Sequence, residues 1–260
     1  MQDNSFESTF EAWGEVLRAP ALSAVADHFF TTRQLRLRGE ATGARDWDTV
    51  ASAIGVERHK LLRPRQVHGR QVLAVSGADL GLFADQRRPE ADAVITDDPS
   101  LAVAVQVADC VPALIADRRT GAVAAAHGGW RGIASGTLEA AVEALGSTFG
   151  ARPGDLVAAL GPSIGPCCYA VRQDVVDAFA AAGHSGDSLA RWFRPDRDGH
   201  YRLDLWAAAR DQLGRAGLAP DKIICARLCT AHDQERFFSY RVEGKRTGRM
   251  AAVIRSRGRG

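Results

Sequence analysis

Lysine is nearly missing from this chain. Among its 33 basic residues only Lys60, Lys222 and Lys245 are lysine, a bias that reads as genome composition rather than chemistry. An excess of either charge is missing too. The 33 basic residues face 31 acidic ones, and the net charge of +2 is too small for a global field that gathers nucleic acid or an acidic membrane. The locally basic C-terminus, RSRGRG, reads as a frayed, solvated tail. Long apolar runs are also lacking. The most apolar stretch, LAVAVQVADCVPALIA, is broken by Gln106 and Asp109, short of the roughly 18 uninterrupted apolar residues of a membrane helix. The N-terminus, MQDNSFESTFEAWGEV, has no basic segment followed by an apolar one and so is no secretory signal. These absences predict a cytoplasmic protein that binds neither membrane nor nucleic acid. Cysteine is scarce: Cys110, Cys167, Cys168, Cys225 and Cys229. An odd number without an export signal argues against a disulfide framework. Each thiol is then a core residue, a metal ligand or a nucleophile.

What is present is ordinary globular text without repeat or linker, 46% hydrophobic and 25% charged over 260 residues. Strands are predicted at HFFTT (28–32), at DAVITD (92–97), at LAVAVQV and VPALIAD on either side of ADC, and at AVAAAH. LLRPRQVHGRQVLAV (61–75) reads as a strand pair broken near Pro64 and His68–Gly69, and DLVAALG, KIICARLC and RMAAVI add later strands. DWDTVASAIGV (46–56) has helical spacing with Asp46 or Asp48 as N-cap. GTLEAAVEALGSTFG, RQDVVDAFAAAG and LDLWAAARDQLGRAG are helices that stop at glycine. The order is no regular βαβ alternation. It predicts an α+β domain built on mixed sheets.

Three residues of ligand type stand at strand ends or turns beside small residues: His68 in RQVHG, Cys110 in ADCVP and His127 in AHGGWRG. Their separations, 42 and 17 residues, exclude the local Cys-x₂-Cys clip of structural zinc. Two imidazoles and a thiolate gathered by the fold, with a fourth position open, make a sensible catalytic Zn²⁺ set. Taken one at a time, a core cysteine and two satisfied histidines account for the same residues equally simply. Arg131 follows a glycine-rich turn ahead of a helix. There it either offers a phosphate fork beside backbone N–H groups or stacks on Trp130. In GPSIGPCCY (161–169), Ser163 either donates to an anion or makes the turn. A disulfide between the neighbours Cys167 and Cys168 would be strained; either one of them lines the pocket or, more simply, both are buried.

The motifs RQVHG, ADCVPALIAD, AHGGWRG, GPSIGPCCY, LDLW, LCT and FFSYR with TGRMAAVI together resemble the laccase-domain family. Its members were first called multicopper polyphenol oxidases and later zinc-dependent purine nucleoside enzymes. The resemblance runs from Phe29 to Ile254 and so treats residues 1–260 as one domain, with its core at about 28–255. It implies mixed β-sheets in a sandwich flanked by helices, similar to the catalytic domain of cytotoxic necrotizing factor. It implies that the family's His, Cys and His ligands fall on His68, Cys110 and His127. The implied activity is phosphorolysis of adenosine, inosine, guanosine and methylthioadenosine, with adenosine deamination as a second reaction. The partners are then a purine nucleoside and phosphate; the oligomeric state is left open. Four positions depart from the pattern. TTRQLRLRGEATGARDWDTV is shortened, so that Trp47, or Arg45 nearby, stands where the family carries an arginine. Gly128, Ala170 and Val242 replace an alanine, an acid and a base.

Within that chemistry Arg131 is the phosphate candidate and zinc the Lewis acid or the holder of a hydroxide. The His-x-Glu acid/base of familiar zinc deaminases is not present. Asp109 is the nearest titratable substitute, or else a group that orients a ligand. Three rivals stand beside this reading. A copper-dependent, laccase-like polyphenol oxidase with four coppers needs about ten histidines, against seven here, although a single Cu²⁺ is compatible. A hydrolase editing peptidoglycan precursors would use Cys110 as nucleophile and His68 or His127 as base. A non-catalytic zinc module is the third.

Overall fold

The computed structural model describes residues 6–38, 40–84 and 88–259. In chain order the strands are β1 (Glu7–Glu11), β2 (Gly14–Arg18), β3 (Asp27–Thr31), β4 (Leu61–Leu62), β5 (Val72–Ala74), β6 (Ala93–Thr96), β7 (Ala102–Val107) and β8 (Val111–Asp117). They continue as β9 (Val123–Gly128), β10 (Leu156–Leu160), β11 (Ala170–Val171), β12 (Phe193–Pro195), β13 (Tyr201–Leu203), β14 (Ile223–Cys225) and β15 (Met250–Arg255). The first sheet has the order β1-β2-β3-β15-β7-β4 and the second β14-β10-β8-β9-β6-β5, with a small third sheet β11-β13-β12. Both large sheets are mixed: β4 runs parallel to β7, β5 to β6 and β10 to β14, whereas the central pairs are antiparallel.

Period-two alternation sorts the central strands into layers. Val103, Val105 and Val107 of β7 meet Leu114 and Ala116 of β8 and Val123 and Ala125 of β9 between the two sheets. The alternate residues Ala102 and Ala104 face away, onto Trp47, Val50 and Ile54 of the helix Glu40–Ile54. On the far side of the second sheet, Ala113, Ile115, Ala124 and Ala126 pack under the helices Thr137–Phe149 and Leu205–Arg215. Alanine dominates β9, so these helices can lie close to the sheet. The result is an α+β sandwich with helices on both outer faces. No helix among the described residues is long and apolar enough to cross a membrane.

The structure corrects several readings. The helix expected from Asp46 or Asp48 starts at Glu40, so neither aspartate is its N-cap. Asp46 instead accepts the Arg36 N–H at 2.8 Å and ties down the preceding loop. The apolar face of the helix is anchored on the first sheet, which carries the helix through polar text that has no periodicity of its own. The strand pair at 61–75 is not a pair: β4 belongs to the first sheet and β5 to the second, and the segment between them crosses the sandwich. The C-terminal residues are not frayed up to 259. Arg255 and Arg257 both pair with Asp27, and buried Ser256 donates to the Gly121 carbonyl at 2.6 Å. Of the acidic N-terminus, residues 1–5 lie outside the described part, and the rest forms the β1–β2 hairpin. The glycine stops hold. Gly183 and Gly217, at φ 88° and 96°, follow the last turns of their helices.

Candidate metal centre

Three chain segments converge at one end of the second sheet. Strands β8 and β9 pair with Val111 opposite Gly128 and Pro112 opposite His127, which sets Cys110 and His127 side by side. His68 arrives on the crossover between β4 and β5. The ligand atoms of His68, Cys110 and His127 all lie within 4.8 Å of one another. Cys110 Sγ stands 3.9 Å from His68 Nε2, and the two imidazole rings meet edge to face with centroids 4.8 Å apart. Two left-handed residues aim these groups: His68 at φ 62° and Asp109, just before Cys110, at φ 83°. Neither is glycine, and holding each costs on the order of 1–2 kcal/mol.

The restoring partner is Asp92, which sequence reading passed over as the first letter of a strand. It is fully buried. Its carboxylate accepts the backbone N–H groups of Val67 at 3.2 Å, His68 at 3.0 Å and Gly69 at 2.7 Å. It also bonds His127 Nδ1 at 2.8 Å, and its own carbonyl accepts the His127 N–H at 2.7 Å. One carboxylate thus positions two candidate ligands and leaves His127 Nε2 to face the thiol, the arrangement common behind metal-bound histidines. An acid flush against an apolar run (ADAVIT) was the one available signal. Gly129 completes the cradle. A Cβ there would lie 2.7 Å from His68 Cδ2 and 3.2 Å from Cys110 Sγ.

Electrostatics follow from this geometry. Burial alone would push the Cys110 thiol up. The His127 charge and hydrogen bonds from both imidazoles outweigh it and hold the thiol well below its ordinary range. Burial would likewise lower His127, but the Cys110 thiolate and the Asp92 carboxylate raise it. The protein without metal therefore holds a thiolate–imidazolium pair backed by a carboxylate. Two nitrogens and a thiolate, cleared of Cβ atoms and buttressed by Asp92, fit zinc, and a single copper ion fits as well.

The set opens on a cavity of about 780 Å³. Arg38, Arg65, Arg88, Arg131, Arg241 and Arg249 line it, with Trp130, Tyr169 and Tyr240. Asp109 is the one carboxylate among the described lining residues. Its oxygens accept from Thr230 Oγ1 at 2.7 Å, Ser239 Oγ at 2.8 Å and the Arg241 N–H at 2.6 Å. These three bonds favour a positioning role over proton transfer. The Arg131 guanidinium stacks 4.1 Å from the Trp130 ring centre and also borders the cavity, where a phosphate role stays open to it. Ser163 makes its turn. It is fully buried and accepts Trp206 Nε1–H at 2.8 Å. Trp47 is buried in the outer core under Arg63, and Arg45 is exposed on the same helix; neither is among the cavity's described lining residues. Burial proves wrong for Cys167, which is exposed, and Cys168 is half-buried. Their neighbour Tyr169 takes the place in the cavity wall.

The family model described as multi-copper polyphenol oxidoreductase laccase matches residues 40–257. A protein of Xylella fastidiosa named purine nucleoside phosphorylase is 41% identical over 189 residues, covering 73% of this chain and 69% of that one. Purine nucleoside phosphorylase YfiH of Escherichia coli is 39% identical over 189 residues, covering 73% and 71%. The crystal structure of YlmD from Geobacillus stearothermophilus superposes with a TM-score of 0.85 at 30% identity, over 96% of this chain and 98% of that one. With the sandwich, the His-Cys-His set and these matches in agreement, the chain belongs to the multi-copper polyphenol oxidoreductase laccase family.

Proposed function

We propose that this chain is a zinc-dependent purine nucleoside phosphorylase acting on adenosine, inosine, guanosine and methylthioadenosine, with adenosine deamination as a side reaction. One observation carries the reading. The His68, Cys110 and His127 donors sit in the wall of a cavity that six arginines line and whose one described carboxylate is held by three hydrogen bonds from the protein. That surface suits a small anion beside a metal, and the relatives' names supply the substrate class. Zinc, which His68, Cys110 and His127 would hold, would supply a Lewis acid there.

The chain's own groups account for the rest. Stacking on Trp130 holds the Arg131 fork ready for phosphate oxygens. Phosphate attacks C1′ as the N9–C1′ bond breaks, and the bonding pair leaves with the purine. Tyr169 is the donor suited to the departing base. Burial first, then the Cys110 and Asp109 charges, push its phenol up, so Oη keeps its proton at neutral pH. Asp109 joins the loop of Thr230 to the backbone at Arg241, fixing the cavity wall.

A second reading keeps one specific support. The metal-free thiolate–imidazolium pair with Asp92 behind it is the arrangement of a Cys–His hydrolase, and a peptidoglycan-precursor amide is its candidate substrate. Chromatography of products from adenosine and inosine separates the two. We expect free purine and ribose 1-phosphate only when both phosphate and zinc are present. Free purine released without phosphate, or turnover that survives removal of zinc, contradicts the phosphorylase; inosine formed from adenosine without phosphate is the deaminase side reaction.

A further inference from the structure

Two loops beside Asp109 carry a second set of soft ligands that the proposed reaction does not use. Loop 161–169 and loop 226–230 are joined as a short parallel bridge at Ser163 and Cys229. The Ser163 N–H donates to the Leu228 carbonyl at 3.1 Å, and the Thr230 N–H donates back to the Ser163 carbonyl at 3.1 Å. The Gly165 N–H points at Cys229 Sγ at 3.2 Å. Asp109 binds both loops, through the Ile164 N–H at 2.9 Å and Thr230 Oγ1 at 2.7 Å. This frame brings the sulfur atoms of Cys167, Cys168 and Cys229 within 4.8 Å of one another, with Cys167 and Cys168 Sγ 3.6 Å apart. Cys229 is buried, Cys168 half-buried and Cys167 exposed, so the cluster has a floor and an open side.

Two other uses of the cluster fit less well. As nucleophiles these thiols are poor, because burial and the Cys229 sulfur push Cys167 up, and burial with both neighbouring sulfurs pushes Cys168 up to about 12. A disulfide between adjacent residues is strained and leaves the third sulfur unused. No histidine or carboxylate joins the cluster among the described residues. The donor set is therefore all sulfur and three-fold, a count that completes a trigonal Cu(I) site but leaves Zn²⁺ one ligand short of its usual tetrahedron. We propose that Cys167, Cys168 and Cys229 form a second metal site, a three-thiolate nest for Cu(I), separate from the His68–Cys110–His127 set. Binding exchanges thiol protons for the cation, releases them through the open side at Cys167 and changes no oxidation state.

The test is anaerobic titration of the zinc-loaded protein with Cu(I) presented as its bicinchoninate complex. One Cu(I) should transfer from the chelator while zinc stays bound, with a copper absorption-edge spectrum showing sulfur neighbours only. C168S should weaken that uptake at least tenfold and leave zinc content unchanged. C167S, altered at an exposed position, makes the same test if C168S fails to fold. In the unaltered protein, bound Cu(I) should slow iodoacetamide labelling of Cys167 several-fold. Uptake that occurs only as zinc is displaced overturns the proposal. So does uptake equal in wild type and the cysteine variants, or Cys167 labelling indifferent to copper.

Discussion

Asp92 holds His127 by two bonds at once, its carboxylate at 2.8 Å from Nδ1 and its carbonyl at 2.7 Å from the backbone N–H. The same carboxylate gathers the backbone of the His68 loop. Removing its charge should therefore disturb two ligands together. We expect D92N to bind zinc about 10–100-fold more weakly in competition with a chelator. Zinc affinity equal to wild type would show that the carboxylate only fills space.

The thiolate–imidazolium pair makes the metal-free protein sensitive to pH. The Cys110 thiol is lowered to about 6, so its thiolate persists at neutral pH and is lost as pH falls through that value. Iodoacetamide labelling of Cys110, mapped by mass spectrometry, should stay fast at pH 7 and fall tenfold per unit well below pH 6. Cys167, whose thiol is pushed up, should remain slow at pH 7. Equal labelling profiles for the two cysteines would contradict the ion pair.

Gly129 separates a steric effect from a conformational one. Its backbone, at φ −69° and ψ 164°, is open to any residue, yet a Cβ would press on His68 and Cys110. G129A should keep native far-ultraviolet circular dichroism and lose most of its bound zinc. Full zinc occupancy in G129A would mean that the ligands converge elsewhere.

Arg131 should serve phosphate more than nucleoside. Losing a charge-assisted hydrogen bond corresponds to about 10–100-fold in affinity. We expect R131A to raise the KM for phosphate by that order and leave the KM for inosine nearly unchanged. Parallel rises in both constants would assign Arg131 to holding Trp130 in place instead.

The convergence of the three candidate ligands was legible in the sequence because each is a soft or borderline donor at a strand end beside glycine or another small residue. Asp92 was not. It acts through space on two segments, 24 and 35 residues away, and no local spacing records such a bond. The inner strands showed themselves as short, nearly continuous apolar runs buried on both faces, whereas β1 is an exposed edge with the burial of a loop and so carries no apolar pattern. The 61–75 segment misled for a related reason. Two short apolar runs flanking a turn look like a hairpin, and only the packing of the sandwich assigns them to different sheets. Trp47 stands where the resemblance calls for an arginine, but its burial among Val50, Ile54 and Phe29 shows a core residue.

Whether His68, Cys110 and His127 together hold one metal is read directly by X-ray absorption of protein loaded with one equivalent of zinc. The predicted spectrum has one sulfur near ~2.3 Å and two nitrogens near ~2.0–2.1 Å, with the remaining position a light atom. C110A should lose the sulfur contribution and most of the zinc. A wild-type spectrum with three sulfur neighbours would place zinc in the Cys167, Cys168 and Cys229 cluster, and one with none would remove Cys110 from the site. Either result contradicts the account.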